Sequence, residues 1–197
     1  MTTLDLSHVL ITRTDNIGDV VLTLPLAGYL KQRFPHMQIG FVCRGYAAPF
    51  VRMCQAIDYV IDIEMLDDPA QQFSGAGIDT IIFGKPDKRL AAAAKKARIP
   101  NRVGTSHRLF HWLYCNRLAH FSRVKSELHE AQLNFELLKP LGIDVMPTWE
   151  DLPPLYRLAP PAWDGPVMLS KERFNLVFHP KSNGNGREWP IGHFTDL

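Results

Sequence analysis

The stretch His8-Val9-Leu10-Ile11-Thr12-Arg13-Thr14-Asp15-Asn16-Ile17-Gly18-Asp19-Val20-Val21 decides how this chain is read. Its first six residues, HVLITR, are a short apolar run of the kind that forms a buried strand. Asp15 to Asp19 then make a polar turn with one glycine. From residue 18 to 34, Val20, Val21, Leu24, Ala27, Leu30 and Phe34 recur close to helical spacing. Strand, turn and helix in this order open a parallel α/β sheet, in which ligands sit beyond the carboxyl ends of the strands. The turn is therefore a site candidate by position alone. Gly18 permits close approach of backbone to a ligand, and amide groups at a helix start can receive an anion. Neither GxGxxG nor GK[ST] follows, so the turn is neither a dinucleotide fingerprint nor a Walker A loop. Asp19 at the helix start is open to two readings: a favourable charge on the helix dipole, or a base that takes a proton from an incoming hydroxyl.

Working outward, Pro25 kinks the first helix or marks a late start, and Phe34-Pro35 ends it. Residues 38–43 (QIGFVC), 59–63 (YVIDI) and 78–83 (IDTIIF) read as further strands, and 101–104 as a short fifth. Helices are expected over 47–53, 90–97 and 126–138, the last with Ser126 as N-cap and Gly142 as its stop. Strands alternating with helices predict an α/β fold: a Rossmann-like parallel sheet with helices on both faces. Six prolines between Asp144 and Met168 suggest a semi-rigid connection. The expected organisation is a domain over 1–143, a linker over 144–170 and the start of a truncated second domain over 171–197, with a strand at 174–178 and a Gly/Asn-rich loop at 179–187.

Composition is that of an ordinary globular protein: 46% hydrophobic and 21% charged residues argue against disorder. No apolar run approaches the roughly 20 residues of a membrane span, and the N-terminus lacks a secretory pattern. Cys43, Cys54 and Cys115 form no metal or disulfide pattern, which points to reduced thiols in the cytoplasm. The net charge of +2 hides a segregation. Six acids and no base lie between Asp58 and Asp79, whereas eleven of the 22 Lys and Arg lie between Lys85 and Lys125 with Asp87 as the single acid. Such a block attracts phosphates or carboxylates, and it also carries aromatics and His107, His111 and His120. Aromatic-basic mixtures suit single-stranded nucleic acid as well, but nucleic acid would leave the Gly-Asp turn unexplained. No metal-ligand spacing is evident, and no metal is expected.

The run from Ile11 to Pro25, continued by Leu30-Lys31-Gln32-Arg33-Phe34-Pro35, resembles the opening of glycosyltransferase family 9, which contains the ADP-heptose:lipopolysaccharide heptosyltransferases. Residues 126–143 (SELHEAQLNFELLKPLGI) resemble the helix before that family's interdomain linker, and 178–194 (FHPKSNGNGREWPIGHF) resemble the strand and loop after it. The resemblance implies the GT-B architecture, two Rossmann-like domains facing across a cleft, of which this chain carries the N-terminal half and the beginning of the second.

It further implies inverting transfer of a heptose or related sugar from a nucleotide sugar, ADP-heptose, to the lipopolysaccharide inner core, with no other cofactor. The family's general base falls on Asp19. Arg13, six positions earlier, matches the family's basic residue, with acceptor binding, orientation of Asp19 or a structural ion pair as its roles. Asn16 and Gly18 complete the acceptor side. The donor phosphates fall to Ser182, Asn183 and Arg187 before Trp189-Pro190; Arg187 stands where lysine is frequent, and Asn183 where some members carry a hydroxyl. The implied location is the cytoplasm, with peripheral contact at the cytoplasmic face of the inner membrane. The alternative is a truncated, non-catalytic homologue that binds acceptor or membrane only. Apolar surface left by an unfinished domain predicts a homodimer.

Overall fold

The computed structural model describes residues 6–162, 165, 170, 172–179, 181–182 and 186–195. The chain divides into two compact units, Met1–Pro161 and Ala162–Leu197. In the first, six strands form one sheet: β1 (His8–Thr12), β2 (Gln38–Cys43), β3 (Tyr59–Asp62), β4 (Thr80–Phe83), β5 (Asn101–Thr105) and β6 (Arg117–Ala119). Their spatial order is β3-β2-β1-β4-β5-β6, and every pair is parallel. The chain builds outward from β1 to β3, then crosses to the far side of β1 and builds β4 to β6. The order reverses between β1 and β4, and a doubly wound sheet opens its ligand crevice at that point.

Period-two alternation sorts the strand residues onto two faces. Val9 and Ile11 join Ile39 and Phe41 in one core, while Leu10 joins Val42, Ile81 and Phe83 in the other. All five residues of β1 are buried, as a central strand covered on both sides requires. Helix α2 (Leu24–Arg33) contributes Leu24, Ala27 and Leu30 to the first core; α4 (Pro69–Phe73) and α5 (Lys88–Lys96) contribute Phe73, Leu90 and Ala94 to the second.

The helix expected over 18–34 is two helices, α1 (Ile17–Val21) and α2, separated at Leu22-Thr23. Pro25 lies in the first turn of α2, where its missing N–H leaves no bond unmade. The break is held from a distant segment: Asn134 Nδ2 donates to Leu22 O at 2.9 Å and to Thr23 Oγ1 at 3.3 Å.

The helix expected from Ser126 begins later, as α7 (Glu130–Leu133), and continues as 3₁₀ turns over Asn134–Leu141. His129 is the N-cap: Ala131 N donates to His129 Nδ1 at 3.3 Å, and His129 N donates to Gln132 Oε1 at 3.2 Å. This reciprocal box takes the cap away from Ser126, whose Oγ instead accepts from Leu128 N. Pro140 lies within the 3₁₀ turns, and Gly142 closes them at φ 80°. Helices α3 (Ala48–Val51) and α6 (Leu109–Tyr114) complete the packing around the strands.

The first unit runs to Pro161, beyond the residue 143 at which the sequence places its end. Helix α8 (Leu152–Leu155) buries Leu152 and Leu155 in the first core. Leu155 O comes so close to α2 that a Cβ at Gly28 would lie 1.8 Å from it. Gln55 N donates to Arg157 O at 3.0 Å and Ala159 N to Met53 O at 2.8 Å. The prolines of this segment thus turn a packed strap rather than span open solvent. In the second unit, α9 (Ile191–Thr195) is a helix. The strand expected at 174–178 is not formed among the described residues, and Phe174, Leu176 and Val177 are exposed.

A candidate active site at the reversal of strand order

Arg13 is the first residue past β1, and its N–H still donates to Val42 O of β2 at 2.9 Å. Its side chain therefore starts inside the sheet's edge, and the residue is only 4% exposed. A buried guanidinium needs compensating acceptors. Arg13 Nε donates to Asp15 Oδ1 at 2.8 Å, and Nη2 to Asp19 Oδ1 at 2.9 Å. Nη1 donates to Gly84 O at 3.0 Å and to Glu130 Oε1 at 3.2 Å. One planar fork thereby joins the β1–α1 turn, the loop after β4 and the start of α7, a geometry that lysine's point charge cannot reproduce.

A second cation backs the first. Arg123 Nη1 donates to the same Glu130 oxygen, and Nη2 donates to Gly84 O at 3.0 Å and to Asn134 Oδ1 at 3.3 Å. Asn134 in turn holds Thr23, whose Oγ1 donates to Asp19 O at 2.8 Å. Asp19 is thus fixed through both its backbone and its side chain. Two guanidinium groups face the carboxylates of Asp15, Asp19 and Glu130, leaving one formal negative charge in the cluster.

The Asp19 side chain is 35% exposed. Its Oδ1 is held by Arg13, whereas Oδ2 takes no hydrogen bond among the described residues. A carboxylate oriented by one oxygen and open at the other is arranged to accept a proton.

Gly18 is exposed, and a Cβ built on it would meet nothing within 4 Å. The space beside Asp19 is open. Asn16 is the exposed N-cap of α1 but makes no side-chain cap bond. Tyr46 OH donates to Asp15 O at 3.1 Å and steadies the turn from the segment after β2.

Two cavities open beyond the carboxyl ends of the strands. One, of about 390 Å³, is lined by Pro86, Thr105, His107, Arg108, Phe121 and Arg123. The other, of about 490 Å³, is lined by Thr14, Arg44, Glu64, Asp67, Lys85 and Arg89, among others. The basic block thus supplies cations to both. Much of the acidic block is engaged locally: Asp62 and Asp68 cap short helices, and Asp58 accepts from Lys31 and from Ile39 N.

The three cysteines are buried and unpaired with one another. Burial pushes the Cys43 thiol up to about 11 and the Cys115 thiol up to about 12, so neither is a nucleophile at neutral pH. Among the described residues no cluster of His, Cys, Asp and Glu could hold a metal ion.

In the second unit, Ser182 N donates to Glu188 Oε1 at 2.9 Å and Ser182 Oγ accepts from Gly186 N at 3.1 Å. Lys181 pairs with Glu188 at 3.1 Å. The loop's amide and cation thus converge on a carboxylate. Arg187 is exposed, and Asn183 lies outside the described residues.

Arg13 and Asp19 are candidates from the sequence, whereas Glu130, Arg123 and Asn134 join the site only in the folded structure. Glu130 is 117 positions from Arg13, and no local spacing connects them.

No family model matches the chain. Over 98% of its length it is 24% identical to a Haemophilus influenzae protein named "putative glycosyltransferase", covering 59% of that protein. Among solved structures it is similar to a family 9 glycosyl transferase from Veillonella parvula, with a TM-score of 0.61 and 25% identity over 73% of this chain and 43% of that one. The E. coli heptosyltransferase WaaC, solved with ADP, superposes with a TM-score of 0.57 at 21% identity, over 70% of this chain and 48% of WaaC. E. coli ADP-heptose lps heptosyltransferase II does so with 0.57 at 18% identity, over 85% and 48%. The last two likenesses are of fold. The chain spans 59% of its curated relative and 43% to 48% of these solved structures. In both sequence and fold, this chain is similar to the glycosyltransferases of family 9.

Proposed function

We propose that this chain forms the acceptor-binding side of an inverting glycosyltransferase, in which Asp19 is the general base. The observation that carries the reading is the state of Asp19: one carboxylate oxygen locked by buried Arg13, the other open beside Gly18 at the point where the strand order reverses. In the proposed step, Asp19 Oδ2 takes the proton of an acceptor hydroxyl as that oxygen bonds to the anomeric carbon of the donor sugar. The bond from that carbon to the diphosphate breaks, and a nucleoside diphosphate leaves with the electron pair. Such an inverting displacement needs one base on the face of the sugar opposite the leaving group, and cations or N–H donors for the diphosphate.

Likeness to heptosyltransferases points to ADP-heptose as donor and the lipopolysaccharide inner core as acceptor. Arg13 then acts as the residue that orients Asp19, since its guanidinium is consumed by internal bonds. Asn16 and Gly18 border the acceptor hydroxyl. The cavity bearing His107, Arg108 and Arg123 suits the acceptor's carboxylates and phosphates. Ser182, Asn183 and Arg187 are the proposed donor-phosphate residues; the Ser182 amide and Lys181 are held by the chain's own Glu188, a carboxylate that a bound diphosphate would displace. An acceptor anchored in lipid also calls for peripheral contact with the inner membrane from its cytoplasmic side.

The test is transfer from ADP-heptose to a core acceptor by the protein carrying Asp19→Ala. Loss of roughly 10²-fold in kcat by a variant that remains folded at the assay temperature is expected; near-normal turnover would sink the assignment. A chain that binds core oligosaccharide but neither binds ADP-heptose nor transfers would instead support the reading of a non-catalytic binder.

A further inference from the structure

Helix α6, which the sequence reading did not anticipate, turns its apolar side chains outward. Leu109 is 88% exposed, Trp112 59% and Leu113 65%. They stand at i, i+3 and i+4, and so share one face of the helix. The opposite face is already satisfied: His111 is fully buried, and Phe110 and Tyr114 pack against the second core. Among the described residues, Leu109, Trp112 and Leu113 belong to neither hydrophobic core.

Its surroundings are cationic. Lys95 Nζ donates to Leu113 O at 2.8 Å, which places that ammonium at the end of the apolar face. Arg108 is the exposed N-cap of α6, and His107 precedes it. The His120 ring lies 6.4 Å from that of Trp112. From Lys88 to Lys125 the sequence contains no Asp or Glu. Trp112 Nε1 donates to Ser106 O at 2.8 Å, so the indole's polar atom is satisfied within the protein and the ring can enter an apolar medium without leaving a donor unpaired.

We infer that α6 with its flanking cations is a docking surface for an anionic lipid bilayer. Apolar side chains ringed by Lys and Arg are the composition that seats in the headgroup region of such a membrane. Charge selects the bilayer over a second copy of this chain. A twofold contact would set the patch against itself and bring the cations Lys95 and Arg108 of one copy toward those of the other. The helix has only six residues, whereas a stable protein interface uses about 20–30 residues a side.

The surface also adjoins the proposed acceptor cavity. Arg108 and His107 line that cavity and also begin α6. Docking would bring the lipid headgroups to the cavity's mouth, where the head of a lipid-anchored acceptor must enter. This deepens the acceptor reading, but its test needs neither donor nor acceptor.

The experiment is co-sedimentation of the protein with vesicles of phosphatidylcholine, with and without phosphatidylglycerol. Wild-type protein should bind the anionic vesicles and lose binding as salt rises. The triple variant Leu109→Ser, Trp112→Ser, Leu113→Ser should bind roughly tenfold more weakly or worse, and Arg108→Glu about fivefold more weakly for each unit of charge changed. Leu109→Ser alone alters the most exposed of the three and guards against a folding artefact in the triple variant. Asp19→Ala should bind vesicles as wild type does, so failure of the proposed chemistry leaves this result standing. Absence of wild-type binding, or equal binding by a triple variant with native melting, would overturn the inference. So would a wild-type dimer in light scattering that the triple variant splits, since a second copy would then cover the patch.

Discussion

Replacing Arg13 by methionine tests the architecture of the site most directly. The change keeps a side chain of similar length but removes every donor from the fork. Asp15, Asp19 and Glu130 each lose a charged partner at 2.8–3.2 Å, and Gly84 O loses one of its two arginine donors. Breaking a buried ion pair by removing one member costs about 3–5 kcal/mol. Here the cation is buried, but its partners' side chains are 20% to 35% exposed, so water partly resolvates them. The lower end, about 3 kcal/mol, is the expected loss. For a domain of this size that corresponds to a melting point lower by about 6–12 °C. Urea unfolding followed by circular dichroism measures it. Adding Glu130→Gln should cost much less in the Arg13→Met background than in the wild type, because the two groups share one network. Transfer should also fall, although Asp19 itself is intact. A loss below about 1 kcal/mol in Arg13→Met, or full additivity with Glu130→Gln, would refute the view that this arginine organises the site.

Other outcomes follow from the same packing. Gly28→Ala should lower stability by about 1–3 kcal/mol, because its Cβ would collide with Leu155 O and push α8 off α2; a differential melting scan reads this out. Gly18→Ala has open space and a helical position, so stability should hold or rise by up to about 1 kcal/mol. Acceptor KM should nonetheless increase if that space is where the acceptor hydroxyl enters. His111 gives a pH signature: burial lowers its pKa from 6.5, opposed by the bond to Thr105 O, with the Arg108 charge adding to the lowering. The unfolded chain then binds a proton that the folded one refuses. Stability from this group should fall as pH drops below about 6.5, by about 1.4 kcal/mol per unit until the folded ring protonates. Urea unfolding at several pH values should show that slope, and His111→Gln should flatten it.

The N-terminal half of the sheet was legible because its signals are local. An apolar run of five or six residues bounded by turns reads as a buried strand in any context, and β1, β2, β3 and β4 lie within such runs. Where local signals compete, contacts from elsewhere decided the outcome. The helix break at Leu22-Thr23 is stabilised by Asn134, more than a hundred residues away. The N-cap moved from Ser126 to His129 because Gln132 completes a reciprocal box there. The strap over 144–161 reads as a linker by composition, yet Leu152 and Leu155 find a groove prepared by the missing side chain of Gly28.

By itself the sequence determined the parallel α/β class, the location of the Gly-Asp turn at the end of the first strand, and the candidacy of Asp19 and Arg13. The first two rest on residues close together in the chain, where periodicity and turn chemistry act, whereas Arg13, and Asp19 as a base rather than a helix-start charge, rest on the resemblance of that stretch to glycosyltransferase family 9. Tertiary structure alone decided how Asp19 is held. Only a folded sheet brings the loop after β4 and the start of α7 against the β1–α1 turn, so that Arg13 meets Gly84 and Glu130, and Arg123 meets both as well. A buried guanidinium is viable only when such partners converge from several loops, and sequence spacing cannot encode a convergence across 117 residues.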